Sequence, residues 1–253
     1  MLPDTEWPPK HKYVGGTYET YGNINSGNSL ATIKKLVYDE KIIKLDKLIE
    51  ILVSNFIGYE KEREMMLDVP KYGNDNEYVD DIQIMFHNMI CNVTMSQRNR
   101  TNLHSFLVVI INNSVNTIMG RNTGASVYGR ASGCYMANAN NPFNGTDVNG
   151  VTAMLNSIVK LTPDIHAGAV QNIKFHKDIY NKSRDKVRLL LETYFDKGGA
   201  QAMICVVDNE DLKKAYENPE GFEDIFVRVG GFSARFVALD KDIQLEILNR
   251  TQY

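Results

Sequence analysis

Chemistry concentrates near the C-terminal end, in V-R-V-G-G-F-S-A-R-F (227–236). Two glycines stand side by side between runs that read as strand, with an arginine on each side. Such a pair can serve a plain strand–turn–strand connection, since glycine accepts backbone angles closed to other residues. It can also serve a reaction that needs an amino acid with no side chain. Other candidates are sparse. Cys91, Cys134 and Cys205 are odd in number and widely spaced, so they read as reduced thiols and not as a disulfide framework. Cys91, on a helical face, and Cys205, inside an apolar strand, are expected to be core thiols. No Cys or His pair has the spacing of a metal site. His166 and His176 flank a strand in a polar setting with nothing nearby to complete a dyad, so surface or supporting positions are expected.

The chain that must position these residues has 253 residues, 43% hydrophobic and 23% charged. That is an ordinary balance for one large domain or two small ones. The net charge of -3 and scattered Lys and Arg give no nucleic-acid footprint. The longest apolar run, 106–111, is too short to span a bilayer, and the first residues lack the basic and apolar regions of a signal peptide. The expectation is a cytoplasmic protein with no membrane segment.

Residues 1–28 read as an extended entry segment rich in Pro, Gly, Asn and Tyr. Helices are expected over 29–38, over a stretch with Leu45, Leu48, Ile49, Leu52, Val53 and Phe56 on one face, and over 59–67. Another should present Tyr78, Ile82, Met85, Phe86 and Met89 as its apolar face, capped by Asn74 or Asp75. Residues 94–150 are dense in Asn, Gly, Ser and Thr around the 106–111 strand, a loop-rich stretch of the kind that carries function. Beyond it, helices at 152–160, 183–195, 210–217 and after Asp240 alternate with strands at 170–175, 203–207, 226–229 and 234–239. That alternation indicates an α/β protein.

The stretch Arg228-Val229-Gly230-Gly231-Phe232-Ser233-Ala234 resembles the C-terminal signature of the glycyl radical enzymes, Arg-Val-x-Gly-Tyr/Phe-Ser-Ala, at every fixed position. The segments 15–41, 70–75 (P-K-Y-G-N-D), 123–133 (T-G-A-S-V-Y-G-R-A-S-G), 141–150 (N-P-F-N-G-T-D-V-N-G) and 194–201 (Y-F-D-K-G-G-A-Q) also look like blocks of this pyruvate formate-lyase-like family. The resemblance implies Gly231 as the radical carrier, with Arg228, Val229, Gly230, Phe232, Ser233 and Ala234 supporting its loop. An α-carbon radical is stabilised when its orbital overlaps both the adjacent amide nitrogen and the carbonyl. That requires a near-planar centre, which a β-carbon would crowd. Arg228 and Arg235 are expected to hold the loop through backbone carbonyls, and Arg130 and Asp147 to brace loops near the barrel mouth.

The resemblance implies half of a ten-stranded α/β barrel, five strands with surrounding helices, followed by a glycyl radical domain. Its divisions are an N-terminal extension over 1–14, half-barrel over 15–160 and the glycyl radical domain over 161–253. It also implies a radical installed on Gly231 by an activating enzyme that uses S-adenosylmethionine and an iron–sulfur cluster, with no cofactor or metal bound by this chain. Family members relay the radical to a cysteine in a Gly-Cys-x-Glu loop or, in pyruvate formate-lyase, to one of two adjacent cysteines. Neither occurs here: Ser132-Gly133-Cys134 is followed by Tyr135-Met136. The expected role is therefore the radical-bearing subunit of a split enzyme. A cysteine-bearing partner would complete it, acting on a small molecule by lyase or dehydratase chemistry. The alternatives are a formate acetyltransferase-type subunit, a repair part for an oxygen-cleaved enzyme, and a gene fragment.

Overall fold

A computed structural model describes residues 13–253. Apart from Tyr13 and Val14, the N-terminal extension expected over 1–14 lies outside the described residues. Five parallel strands carry the framework. Strands β1 (Gly15–Glu19), β2 (Ser105–Ile110) and β3 (His166–Ala169) form one parallel sheet in that order, and β4 (Asn172–His176) pairs in parallel with β5 (Met203–Val207). The two sheets share one extended run of chain. Val170 N–H donates to Ile110 on the β2 side, while the Gln171 carbonyl accepts from Met203 N–H on the β5 side. Neighbouring residues of a strand turn their backbone groups to opposite edges, so β2 and β5 flank this run from its two sides. The expected strand at 170–175 is β4, starting two residues later at Asn172, and the unexpected β3 precedes it in the same run. Within the described residues the five strands stand as sheets of three and two, a mixed α/β arrangement.

Strand β1 lies in the segment read as an extended entry. Gly15 and Gly16 hid it, because both weaken a strand pattern. Their reason is close approach: a β-carbon on Gly16 would lie 2.6 Å from Leu103 Cδ1 and 2.8 Å from Phe106 Cδ2.

Helix α1 (Asn23–Ile33) starts earlier than expected and continues as a π-helical stretch over Lys34–Asp39. Helices α2 (Leu45–Val53) and α3 (Glu60–Asp68) follow, then the long α4 (Glu77–Ser96). Both α2 and α4 correct the expected apolar faces. In α2 the buried residues are Leu48 and Ile51, while Leu45, Ile49 and Val53 are exposed. In α4 the buried face is Val79, Asp80, Gln83, His87, Cys91 and Thr94. Met85, Met89 and Val93, spaced four apart, are 60%, 54% and 58% exposed. The polar face points inward because it finds partners there. Lys160 Nζ bonds Asp80 at 2.7 Å, Ser157 donates to Asp80 at 3.0 Å, and the His87 ring meets His166 edge-on at 5.4 Å.

The remaining elements are α5 (Val115–Arg121), α6 (Gly150–Val159), α7 (Lys177–Lys182), α8 (Arg184–Asp196), α9 (Asn209–Glu217), the hairpin β6 (Phe226–Arg228) and β7 (Ser233–Arg235), and α10 (Lys241–Asn249). Strand β7 ends sooner than the expected 234–239, in a helical turn that buries Phe236. The main core joins α1, α4, α6 and α8 to β4 through Ile24, Val79, Met154, Ile158, Ile173, Phe175 and Tyr194. Gly199 belongs to it by contact, since a β-carbon there would sit 2.4 Å from the Tyr194 ring.

The buried histidines predict acid sensitivity. Burial pushes His87 down to about 4 and lowers His166 as well. An unfolded chain protonates His87 near 6.5, so between these values it binds a proton that the fold excludes. The stabilisation is complete above about pH 6.5 and is lost as pH falls towards 4. Unfolding free energy should drop by on the order of 3 kcal/mol across that window through His87 alone. Urea titrations at pH 7 and 4.5 should show a smaller pH difference for His87→Gln than for the wild type. An equal difference would remove His87 as the cause.

Candidate functional site

The two glycines form the tip of a two-residue hairpin. Phe226 pairs with Arg235, Val227 with Ala234 and Arg228 with Ser233, and Val229 N–H donates to the Phe232 carbonyl at 3.1 Å. The favoured two-residue hairpin turns place one or both central residues at positive φ, the usual reason for glycine there. Neither Gly230 nor Gly231 has a positive φ. Handedness therefore does not account for them.

Packing accounts for one of the two. A β-carbon on Gly230 would lie 2.5 Å from Asn113 Oδ1 and 3.0 Å from Asn113 Cα, and Gly230 is buried. A β-carbon on Gly231 would meet nothing within 4 Å, and Gly231 is exposed. Glycine costs conformational entropy on folding relative to alanine. At position 231 neither angle nor space returns that cost, so the missing side chain calls for a chemical reason.

The tip is held from three sides. Arg228 Nη2 donates to the Gly231 carbonyl at 3.4 Å and Nη1 to Ser233 Oγ at 3.1 Å. Gly231 N–H donates to Asn113 Oδ1 at 3.3 Å. Beneath the hairpin, Arg250 donates to the carbonyls of Arg228 at 3.0 Å and Val229 at 3.2 Å. Its guanidinium is fixed by Glu246 at 2.7 Å, both being buried, and Asn144 Nδ2 donates to the Glu246 carbonyl at 2.7 Å. Val227, Val229 and Phe236 root the hairpin in a small core shared with Leu212 and Ile247. Phe232 stays exposed beside Gly231, and Ala234 packs against that core.

Of the loop residues singled out in the sequence, Arg228 holds a carbonyl as expected. Arg235 does not share that task among the contacts seen: it lies over the Phe226 ring at 5.9 Å. Arg250 does so instead, from the far end of α10, where no local pattern marked it. Asn113 was hidden as well, within an Asn-Asn-Ser turn after a buried strand.

The other candidates serve structure. Arg130 is buried and donates to Ser126 Oγ and to the carbonyls of Thr123, Gly124, Ala131 and Cys134, so it braces the 123–134 loop. Asp147 is buried and accepts from the hydroxyls of Thr251 and Tyr253. His166 is buried against His87, and not at the surface, because β3 lies on the polar face of α4. His176 caps α7, accepting from Asp178 N–H at 3.1 Å. Burial pushes Cys91 up to about 11 and raises Cys134 and Cys205, which disfavours thiolate at all three. Among the described residues no group of three His, Cys, Asp or Glu could hold a metal, and no helix is long and apolar enough to cross a membrane.

Lys174, pushed down to about 7 by burial, donates to the carbonyls of Ile247 and Leu248 at the C-terminal end of α10. The adjoining residues 252–253 lie along β4, with Tyr253 N–H on the Lys174 carbonyl at 2.9 Å and His176 N–H on the Tyr253 carbonyl at 2.8 Å.

Comparison with known proteins gives two family matches, Pyruvate formate lyase-like over residues 11–120 and Glycine radical over residues 136–237. Indoleacetate decarboxylase of Tractidigestivibacter scatoligenes is 32% identical across 92% of this chain and 29% of its own length. (2S)-3-sulfopropanediol dehydratase of Klebsiella oxytoca is 29% identical across 95% of this chain and 30% of its own. The glycerol-bound B12-independent glycerol dehydratase of Clostridium butyricum superposes with a TM-score of 0.89 at 33% identity, over 96% of this chain and 31% of that one. The chain thus spans less than a third of the length of each protein it matches here.

Proposed function

Because the chain belongs to the glycyl radical enzyme family, we propose that Gly231 stores its radical and passes it to a cysteine on a partner chain. The observation that carries this reading is a glycine with no need to be one. Gly231 has room for a side chain and an angle that other residues accept, inside the sequence Arg-Val-Gly-Gly-Phe-Ser-Ala.

The sequence of events is a relay of one hydrogen atom at a time. An activating enzyme using S-adenosylmethionine and an iron–sulfur cluster would supply the carbon radical that takes the hydrogen atom of a Gly231 Cα–H bond. A C–H bond forms on the abstracting carbon and the unpaired electron stays on Gly231. The Gly231 radical then takes the hydrogen atom of a cysteine S–H, and the thiyl takes one from the substrate. Elimination or carbon–carbon cleavage follows in the lyase or dehydratase manner. The names of the relatives, dehydratases and a decarboxylase among them, support that branch over formate acetyltransferase, which remains the second reading.

Three features support a cysteine from elsewhere. The thiols of this chain are buried or half-buried and lack the Gly-Cys-x-Glu setting. The Gly231 tip and Phe232 lie open. The apolar rows on α2 and α4 are exposed, and exposed apolar patches mark interaction surfaces. We place the half-barrel in 15–160 and the glycyl radical domain in 161–253. The partner's half-barrel would then close around the tip.

The test is anaerobic activation followed by electron paramagnetic resonance. A doublet is expected that loses its splitting when the protein is made with α-deuterated glycine. Absence of any glycine-centred signal under conditions that activate a full-length relative would defeat the reading. Mixing with intact and with oxygen-cleaved cysteine-bearing polypeptide separates subunit from repair part, because a repair part restores only the cleaved one.

A further inference from the structure

Two side chains address the two polar groups that flank the Gly231 α-carbon. Asn113 Oδ1 accepts from its N–H at 3.3 Å and Arg228 Nη2 donates to its C=O at 3.4 Å. They arrive from separate parts of the chain, Arg228 from the end of β6 and Asn113 from the turn after β2. Resting on the assignment of the radical to Gly231, we infer that Asn113 and Arg228 form a polarising clamp that stabilises it and sets how readily it is released.

The argument follows from the electronic structure of the centre. The unpaired electron is shared between an electron-donating amide nitrogen and an electron-withdrawing carbonyl. An acceptor on the N–H strengthens donation by nitrogen, and a cation on the carbonyl oxygen strengthens withdrawal, so the two contacts reinforce each other. They also fix the peptide planes on either side of the α-carbon, which favours the coplanar arrangement that delocalisation needs. Both contacts are at the long end of hydrogen-bond range with the tip open to water. Exclusion of water by a covering surface would strengthen them.

Both arms are themselves held. Asn113 has φ 49°, a left-handed conformation that Asn tolerates better than most residues. Its carbonyl accepts from Asn138 Nδ2 at 2.9 Å, and the preceding Asn112 ties the same turn to Thr20 and Ala139. Arg228 is steadied by Ser233 Oγ at 3.1 Å and Met203 Sδ at 3.3 Å. The inference also explains the first glycine of the pair. The space a Gly230 side chain would fill is where Asn113 stands.

The clamp bears on one equilibrium. A hydrogen atom moves from a cysteine sulfur to the Gly231 α-carbon and back, with no net change in charge or oxidation state. Stabilising the glycyl side lengthens storage and lowers the thiyl population.

The test uses Asn113→Gly, which removes the acceptor without straining a left-handed backbone, and Asn113→Asp, which keeps an acceptor in the same place. After anaerobic activation, Asn113→Gly should lower the half-life of the glycyl signal by about threefold to tenfold, the loss expected for one ordinary hydrogen bond. The coupling of the exchangeable Gly231 amide proton, read by electron–nuclear double resonance in H2O against D2O, should shift. Asn113→Asp should restore both. An unchanged coupling and half-life in Asn113→Gly would overturn the clamp while leaving the radical assignment intact, as would failure of Asn113→Asp to restore them with its thermal midpoint unchanged. A wild-type protein without a glycine-centred doublet would overturn both.

Discussion

Gly231→Ala should abolish the radical signal and leave the fold as stable as before. The site lacks positive φ and has no neighbour within 4 Å of an added β-carbon, so alanine fits without strain. At compatible positions Gly→Ala stabilises by about 0.4–1 kcal/mol, because the unfolded chain has less freedom to lose. Thermal unfolding should therefore move little or slightly upwards. The doublet after activation should fall below detection, since a β-carbon crowds the planar centre. Gly230→Ala should behave the opposite way. Asn113 blocks the new methyl at 2.5–3.0 Å, and overpacking of this kind costs about 1–3 kcal/mol. Gly230→Ala should accordingly unfold earlier while keeping a glycine-centred signal at the next residue. A Gly231→Ala protein that still gives the doublet would remove position 231 as the carrier.

The largest effect on stability is expected from Arg250→Met. Arg250 and Glu246 form a buried pair at 2.7 Å, and Arg250 also donates to the carbonyls of Arg228 and Val229. Removing one member of a buried pair leaves an uncompensated charge, typically a loss of about 3–5 kcal/mol. For a chain of this length that corresponds to a midpoint lower by roughly 10 °C. Changing both residues, Arg250→Met with Glu246→Leu, should recover much of the loss, because no buried charge is then left alone. The hairpin carbonyls would still lack their donor, so the radical half-life should stay short even where stability returns. Denaturant titration and the decay of the resonance signal measure the two effects separately. Equal stability of Arg250→Met and wild type would show that Glu246 finds another partner.

How far the sequence carried depended on the range of the interactions. Local patterns located most helices and the parallel strands at 106–111 and 203–207, because unbroken apolar runs and helical spacing are written in neighbouring residues. The signature around Gly231 was legible in the same way. The long-range tasks were not. Asn113 reaches Gly231 across 118 positions of sequence, and Arg250 is recognisable only once α10 has been laid under the hairpin. The apolar faces assigned to α2 and α4 held only in part, with Leu48, Leu52, Phe56, Tyr78 and Ile82 packed inward but Leu45, Ile49, Val53, Met85 and Met89 exposed, for a related reason. Periodicity marks an apolar row but not what covers it, and on α4 the polar row found inward partners in Lys160, Ser157 and His166. Likewise β1 was concealed by glycines whose value lies in what packs against them.

The attachment of the last residues to β4 has a consequence for damage. Dioxygen adding to a radical on Gly231 would sever the backbone there, detaching β7, α10 and the residues beyond it in the covalent sense. Those residues are nevertheless tied to the rest of the molecule. Arg250 bonds to Arg228 and Val229, Lys174 to Ile247 and Leu248, Asn144 to Glu246, and residues 252–253 to β4. The expected product is a nicked particle that elutes undivided under native conditions and separates into two bands only in denaturant. Air exposure of the activated protein, followed by native and denaturing sizing, would reveal it. Oxygen injury at this hairpin would then be a silent cut, leaving the outline of the molecule in place after its chemistry has gone.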